Sequence, residues 1–307
     1  MITRFFNTSK PIHFVIITLF TLIVFLISNI NAFNEGLSIA VIANESGKYI
    51  LVLSSIFILN FLVNKNKLSR KNGYEILIYS LLLAMFPMSM QLMYIVFANF
   101  FILLALRRII SLRSNKFVKK KLFDAAFWIG IASLFYFWAI LFFVLIIIAM
   151  FFHAINGIKN WMIPMVGLIT VGIITISYTL LIDNSFGLLS DYLEVISLDF
   201  TNYDNLNFIY TVFVLGALGL WALFFYVINI NQRLKSHRSS HILITISFII
   251  GLAIIIIIPD KNGSEFLFIF PPLAIIMANF LESVKRRWLA EVYVWILILT
   301  PLFPLVL

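Results

Sequence analysis

The chain has 307 residues, 63% of them hydrophobic and 11% charged, with a formal net charge of +9 and no cysteine; its mean hydropathy is +1.07. No water-soluble domain is this apolar, and a bilayer-crossing helix needs about 20 apolar residues, so the repeated apolar runs describe a single integral membrane domain over residues 1–307. Without cysteine there are no disulfides, thiolate metal sites or cysteine nucleophiles, and the surplus positive charge, once placed, requires no nucleic acid.

A basic start and an apolar run from Ile12 to Ile27 have the outline of a signal peptide, but no small-x-small cleavage site follows, so the run reads as a retained first span over residues 12–30. An outer loop, 31–47, and a second span, 48–63, lead to a basic inner loop, 64–74. From Glu75 to Leu106 there are 32 residues between two basic clusters. That is too many for one helix and enough for two short ones, turning at "FPMSMQ", where Pro87 removes an amide donor. Beyond the basic loop 107–121, Leu122 to Phe152 repeats the arrangement and turns near the aromatic cluster Leu134–Trp138.

A seventh span, 162–182, precedes the outer segment 183–207, which holds Asp183, Asp191, Glu194, Asp199 and Asp204 and no cation. Within it Leu188, Leu189, Tyr192, Leu193 and Ile196 recur at helical spacing, which fits either a helix lying on the outer surface or a cap packed on neighbouring helices. Spans at 208–230, 241–258, 265–282 and 288–306 follow, joined by inner loops 231–240 and 283–287 and an outer loop 259–264. The expected fold is therefore all-α, with about 11 helices and two short helical hairpins. Twenty of the 22 Lys and Arg fall on one side, all except Lys48 and Lys261. The positive-inside rule then predicts a multi-pass membrane protein with its N-terminus inside and its C-terminus outside; the resemblance given below implies that the membrane is the bacterial cytoplasmic (inner) one, with the N-terminus cytoplasmic and the C-terminus periplasmic.

No ionisable residue falls in the middle of a predicted span, which argues against a proton-driven pump or a voltage sensor. Gln91, Asn99 and Asn279 read as amides that hydrogen-bond between helices. His237 and His241 in "HRSSH" have the i, i+4 spacing of some metal sites, but Arg238 stands between them and no carboxylate follows, so they read as part of a solvated inner loop. No metal ligand set and no cofactor is assigned, and a divalent metal stays open. The two outer cations, Lys48 and Lys261 in "PDKNGSE", run against the charge bias and are placed to meet a lipid phosphate or to snorkel. Pro271 and Pro272 fall inside the predicted tenth span, where they read as a break lining a site or as a simple kink.

Several of these stretches resemble a known family. The basic loop with "NGYEILIYSLLLAMFP", the helix ending "NFFILLALRRI", the stretch "LFDAAFWIGIASLFYFWAILFFVLIIIAMFF" and the later "PDKNGSEFLFIFPPLAIIMANFLE" are similar to the membrane core of the C-type glycosyltransferase superfamily. The whole chain also resembles an uncharacterised flavobacterial family of polytopic membrane proteins. The superfamily resemblance implies a glycosyltransferase-C-like arrangement and a polyprenyl-phosphate sugar donor bound at the outer face. It implies Glu35 as general base, Lys261 and Lys48 on the carrier phosphate, and Asn34, Glu265 and Asn99 in support. Asn34 stands where the family's first outer loop often has a second acid, and "MSMQLMYIVFANF" has no acid where a further one is expected.

Three functions follow as expectations. The first is an inner-membrane subunit of this fold that binds a polyprenyl-phosphate-type or other membrane lipid, or an inner-membrane protein partner, without catalysis. The second is an active glycosyltransferase at the outer face, and the third a transporter of a lipid or neutral solute.

Overall fold

The computed structural model describes residues 1–34, 38–155, 157–182, 196–259 and 261–305. Among these the protein is all-α, with thirteen α-helices and no strand. They are α1 (Ile2–Phe6), α2 (Pro11–Ser28), α3 (Ile30–Asn34), α4 (Ile39–Asn66), α5 (Tyr74–Met85), α6 (Met93–Ile110) and α7 (Val118–Phe135). The second half holds α8 (Phe143–Phe152), α9 (Ile158–Ile182), α10 (Leu206–Ile230), α11 (Lys235–Ile257), α12 (Phe270–Ser283) and α13 (Arg287–Leu299). Among the described residues six segments are long and apolar enough to cross a membrane: α2, α4, α6 with the 3-10 turn that extends it to Ser114, α9, α10, and His237–Ile257 of α11.

Two short apolar helices, α5 and α12, form the centre. Every residue of α5 is buried, and α12 is buried from Phe270 through Leu281. A helix that is apolar on all sides is buried either in protein or in lipid; here the surroundings are protein, since α5 packs against α12, α2 and α4, while α12 also packs against α10 and α11. The outer helices have one face inward and one outward. α9 buries Gly167 and Val171 yet exposes Met162, Met165, Ile169 and Ile173, the expected division for a helix between protein and lipid. At Gly167 the backbones of α9 and α7 come so close that a Cβ would lie 2.9 Å from the Cβ of Ala126 and 3.0 Å from the carbonyl of Phe123. Small residues permit this approach between membrane helices.

Both expected turns occur, as 3-10 segments at Pro87–Met90 and Phe137–Phe142. The loops differ from expectation. The outer loop placed at 31–47 is helical over 30–34 and again from Ile39, because the Ser38 hydroxyl accepts a bond from the Val41 amide at 3.2 Å and caps α4. The second span is correspondingly 28 residues long, ending at Asn66. α11 begins at Lys235, so "HRSSH" is helical; His241 is buried on the hydroxyl of Tyr226 at 2.8 Å, and His237 rests on Arg113. The prolines expected to break a span sit instead in the first turn of α12, where their missing N–H groups remove no helical bond. The amphipathic stretch around 188–195 lies outside the described residues; Ile196 is exposed in an extended segment.

Candidate functional site

The site expected at the outer end comprises Glu35, Asn34, Lys48, Asn99, Lys261 and Glu265. Glu35 lies outside the described residues, and Asn34 closes α3. Lys48 is placed by α4, one turn after Glu45, and both residues are 4% exposed. Its Nζ donates to Glu45 Oε1 at 2.7 Å, to Asn29 Oδ1 at 3.0 Å and to the Gln91 carbonyl at 3.0 Å. An ammonium has three donors, so the protein itself uses all of them. Gln91 in turn donates to the Ser28 carbonyl at 2.9 Å, and the Ser28 hydroxyl donates to Pro87 O at 2.7 Å. The network ties the end of α2, the first turn of α4's buried face and the 3-10 turn together.

Lys261 is 1% exposed. Its Nζ donates to the carbonyls of Ser197 at 2.7 Å and Ile258 at 2.6 Å and stands 4.6 Å from the centre of the Phe200 ring. It ends α11 and holds the strap 196–200, whose Ser197 amide also donates to Ile257 O at 3.1 Å. Burial pushes the Lys261 ammonium down from its usual value, opposed by the carboxylate of Asp199. Gly263, at φ +88°, makes the tight turn that follows, a conformation in which a side chain is strained. The turn brings Glu265 Oε1 to 3.0 Å from the Gly263 amide, while Oε2 is buried without a partner. Burial raises this carboxyl to about 7, with the turn amides acting in the opposite sense.

These groups converge only in part. Phe86, at the head of the Pro87–Met90 turn, stacks on Phe266 with ring centres 4.6 Å apart, so that turn joins the Lys48 network to the Glu265 turn. Among the described residues no hydrogen bond or ion pair links Lys48 to Lys261. Asn99 lies apart, donating to the Tyr79 hydroxyl at 3.0 Å between α6 and α5, with its own oxygen buried and unpartnered. That is the interhelical role expected of an amide here.

Beside this cluster an apolar groove of about 540 Å³ runs between α2, α5, α10 and the 3-10 turn Thr300–Leu305. Ile23, Ile27, Ala84, Met88, Phe208 and Leu302 are among its walls, with Asn205 and Asn207 at the start of α10.

A family model matches residues 6–304. The chain belongs to DUF6427, a family of unknown function. No curated protein and no solved structure matches it.

The opposite end of this DUF6427 chain contains polar groups that a reading by spans overlooks. Glu75 opens α5 and is fully buried with neither carboxylate oxygen partnered. Glu282, at the end of α12, accepts through Oε1 from the Arg70 amide at 2.9 Å and from Asn72 Nδ2 at 2.5 Å. Arg233 Nη2 donates to Asn279 Oδ1 at 2.7 Å. The signal for Glu75 lay in "YEILIYSLLLAM": a carboxylate in the first turn of a helix with no polar face has nowhere exposed to point.

Proposed function

We propose that the protein is a non-catalytic lipid-binding subunit of the bacterial inner membrane, which holds the hydrocarbon chain of a polyprenyl-phosphate-type lipid in the groove between α2, α5 and α10. The observation that carries this reading is the groove itself: a cleft of drug-like volume, apolar along its walls, with two asparagine amides at one end. The exposed apolar residues Ile23, Ile27, Met88 and Leu302 at its rim favour a hydrocarbon occupant. The alternative, sugar transfer with Glu35 as base, needs cations on the departing phosphate, and both cations expected there donate to protein groups.

The test uses the full chain in nanodiscs with a polyprenyl phosphate bearing a photoreactive group on its chain. Labelling is expected to concentrate on peptides containing 81–88 and 205–211. Filling the groove by Ala84→Phe, or crowding its rim by Met88→Trp, should weaken labelling about tenfold, the equivalent of 1.4 kcal/mol. Labelling spread evenly over the outer helix faces, unchanged in both variants, would exclude the groove as the site. Sugar transfer abolished by Glu35→Gln would establish the enzymatic alternative instead.

A further inference from the structure

The cations at the basic end of the molecule are used in two different ways. In one cleft, of about 260 Å³, all of them but Lys116 are engaged by the protein. There Arg108 pairs with Asp124 at 2.8 Å, Arg113 rests on His237, and Lys121 Nζ donates to Ser111 O and Ser114 Oγ. Lys65 and Arg107 of the same cleft lie against the Phe61 ring.

A second depression is different. Two clefts of about 370 and 660 Å³ share Arg70, Glu282, Val284 and Lys285 in their walls. Arg4 and Arg287 line the first and Arg233 the second, which sets five cations against the single carboxylate of Glu282, a balance of +4. Arg233 donates to Asn279. The side chains of Arg4, Arg70, Lys285 and Arg287 make no ion pair or hydrogen bond among the described residues.

The backbone that carries these cations is anchored, while the side chains of Arg4, Arg70, Lys285 and Arg287 are themselves exposed. The N-terminal amino group and the amides of Ile2 and Thr3 donate to Glu291, which clamps α1 onto α13. The Tyr74 hydroxyl donates to Thr3 O at 2.8 Å, and the Gly73 amide to Phe6 O at 2.9 Å. Glu282 holds the 67–73 loop to the end of α12 through the Arg70 amide and Asn72. Cations gathered around a cavity by an anchored backbone can converge on an entering anion, and the charge-assisted bonds they form are the strong ones. Guanidinium groups in the majority suit a tetrahedral oxyanion.

We propose that this double cleft is a binding site for a phosphate group, presented either by an anionic lipid headgroup at the membrane surface or by a soluble phosphate compound. The site stands at the opposite end of the molecule from the groove, so either assignment can fail without the other.

The experiment reads the thermal unfolding midpoint of the full chain in two kinds of nanodisc. In phosphatidylcholine discs pyrophosphate is titrated; in a parallel series phosphatidylglycerol replaces phosphatidylcholine. A midpoint raised by pyrophosphate identifies a soluble phosphate as able to enter, and one raised by phosphatidylglycerol alone identifies a headgroup. In either case Arg70→Gln and Lys285→Gln should each weaken the half-maximal effect about tenfold, the cost of one charge-assisted bond. Neither side chain supports the fold through a bond, so both variants are expected to fold. Lys65→Gln with Lys116→Gln removes two charges from the other basic cleft, twice the loss in either single variant, and should change nothing. No stabilisation by either probe, or an equal loss in the Lys65/Lys116 control, would overturn the assignment.

Discussion

Lys48 shows how a charge can be buried and still be structural. Its sequence position, against the charge bias, pointed to a phosphate, but its three donors meet Glu45, Asn29 and Gln91 O inside the bundle. Removing one member of such a pair strands the other. Lys48→Met is expected to destabilise by about 3–5 kcal/mol, while Lys48→Met combined with Glu45→Leu recovers most of that loss; chemical unfolding in detergent measures both. Glu265 makes a prediction in pH. Its folded value near 7 lies above the 4.5 of a free carboxyl, so below pH 4.5 both states hold the proton and the residue contributes no pH dependence. Between 4.5 and 7 the unfolded chain releases its proton first, and stability falls by about 3 kcal/mol before levelling off. Glu265→Gln should remove that slope. A variant with the same slope as the wild type would place its origin elsewhere. The pairing of Lys48 with Glu45 is local, three residues apart on one helix, but the rest was not legible in the sequence, because Lys48 finds its other acceptors 19 and 43 residues away and Lys261 finds Ser197 64 residues away.

At the scale of helices the sequence said more. Charge clusters, with Pro87 for one and the aromatic cluster Leu134–Trp138 for the other, placed both turns, since chain length between basic loops is a counting argument that needs no tertiary information. Caps and helical prolines were misread where local rules competed. Ser38 starts α4 inside what polarity marked as loop, and Pro271–Pro272 begin a helix where hydropathy alone would have continued one. The packing of α9 on α7 rests on Gly167. Gly167→Leu should push the two helices apart and cost about 1–3 kcal/mol, as overpacking does. Gly172, whose Cβ would meet nothing within 4 Å, is the matched position where the same change should leave thermal stability unchanged.

The whole molecule is a set of long helices with lipid-facing exteriors around two short buried ones, and it carries distinct polar chemistry at its two ends. One end consumes its cations in internal bonds beside an apolar groove, and the other leaves four cations unpaired around a built cleft. The asymmetry of charge was plain in the sequence; which charges are spent was not, because pairing depends on side chains brought together from α1, α5, α12 and α13. The central pair α5 and α12 also constrains how the molecule is made. Every residue of 74–85 is buried, Glu75 included, and their main partner spans 270–283. During synthesis α5 therefore waits for nearly two hundred further residues before its seat is complete. The last quarter of the chain is a keystone, and a ribosome that stalls before it releases an arch that cannot stand.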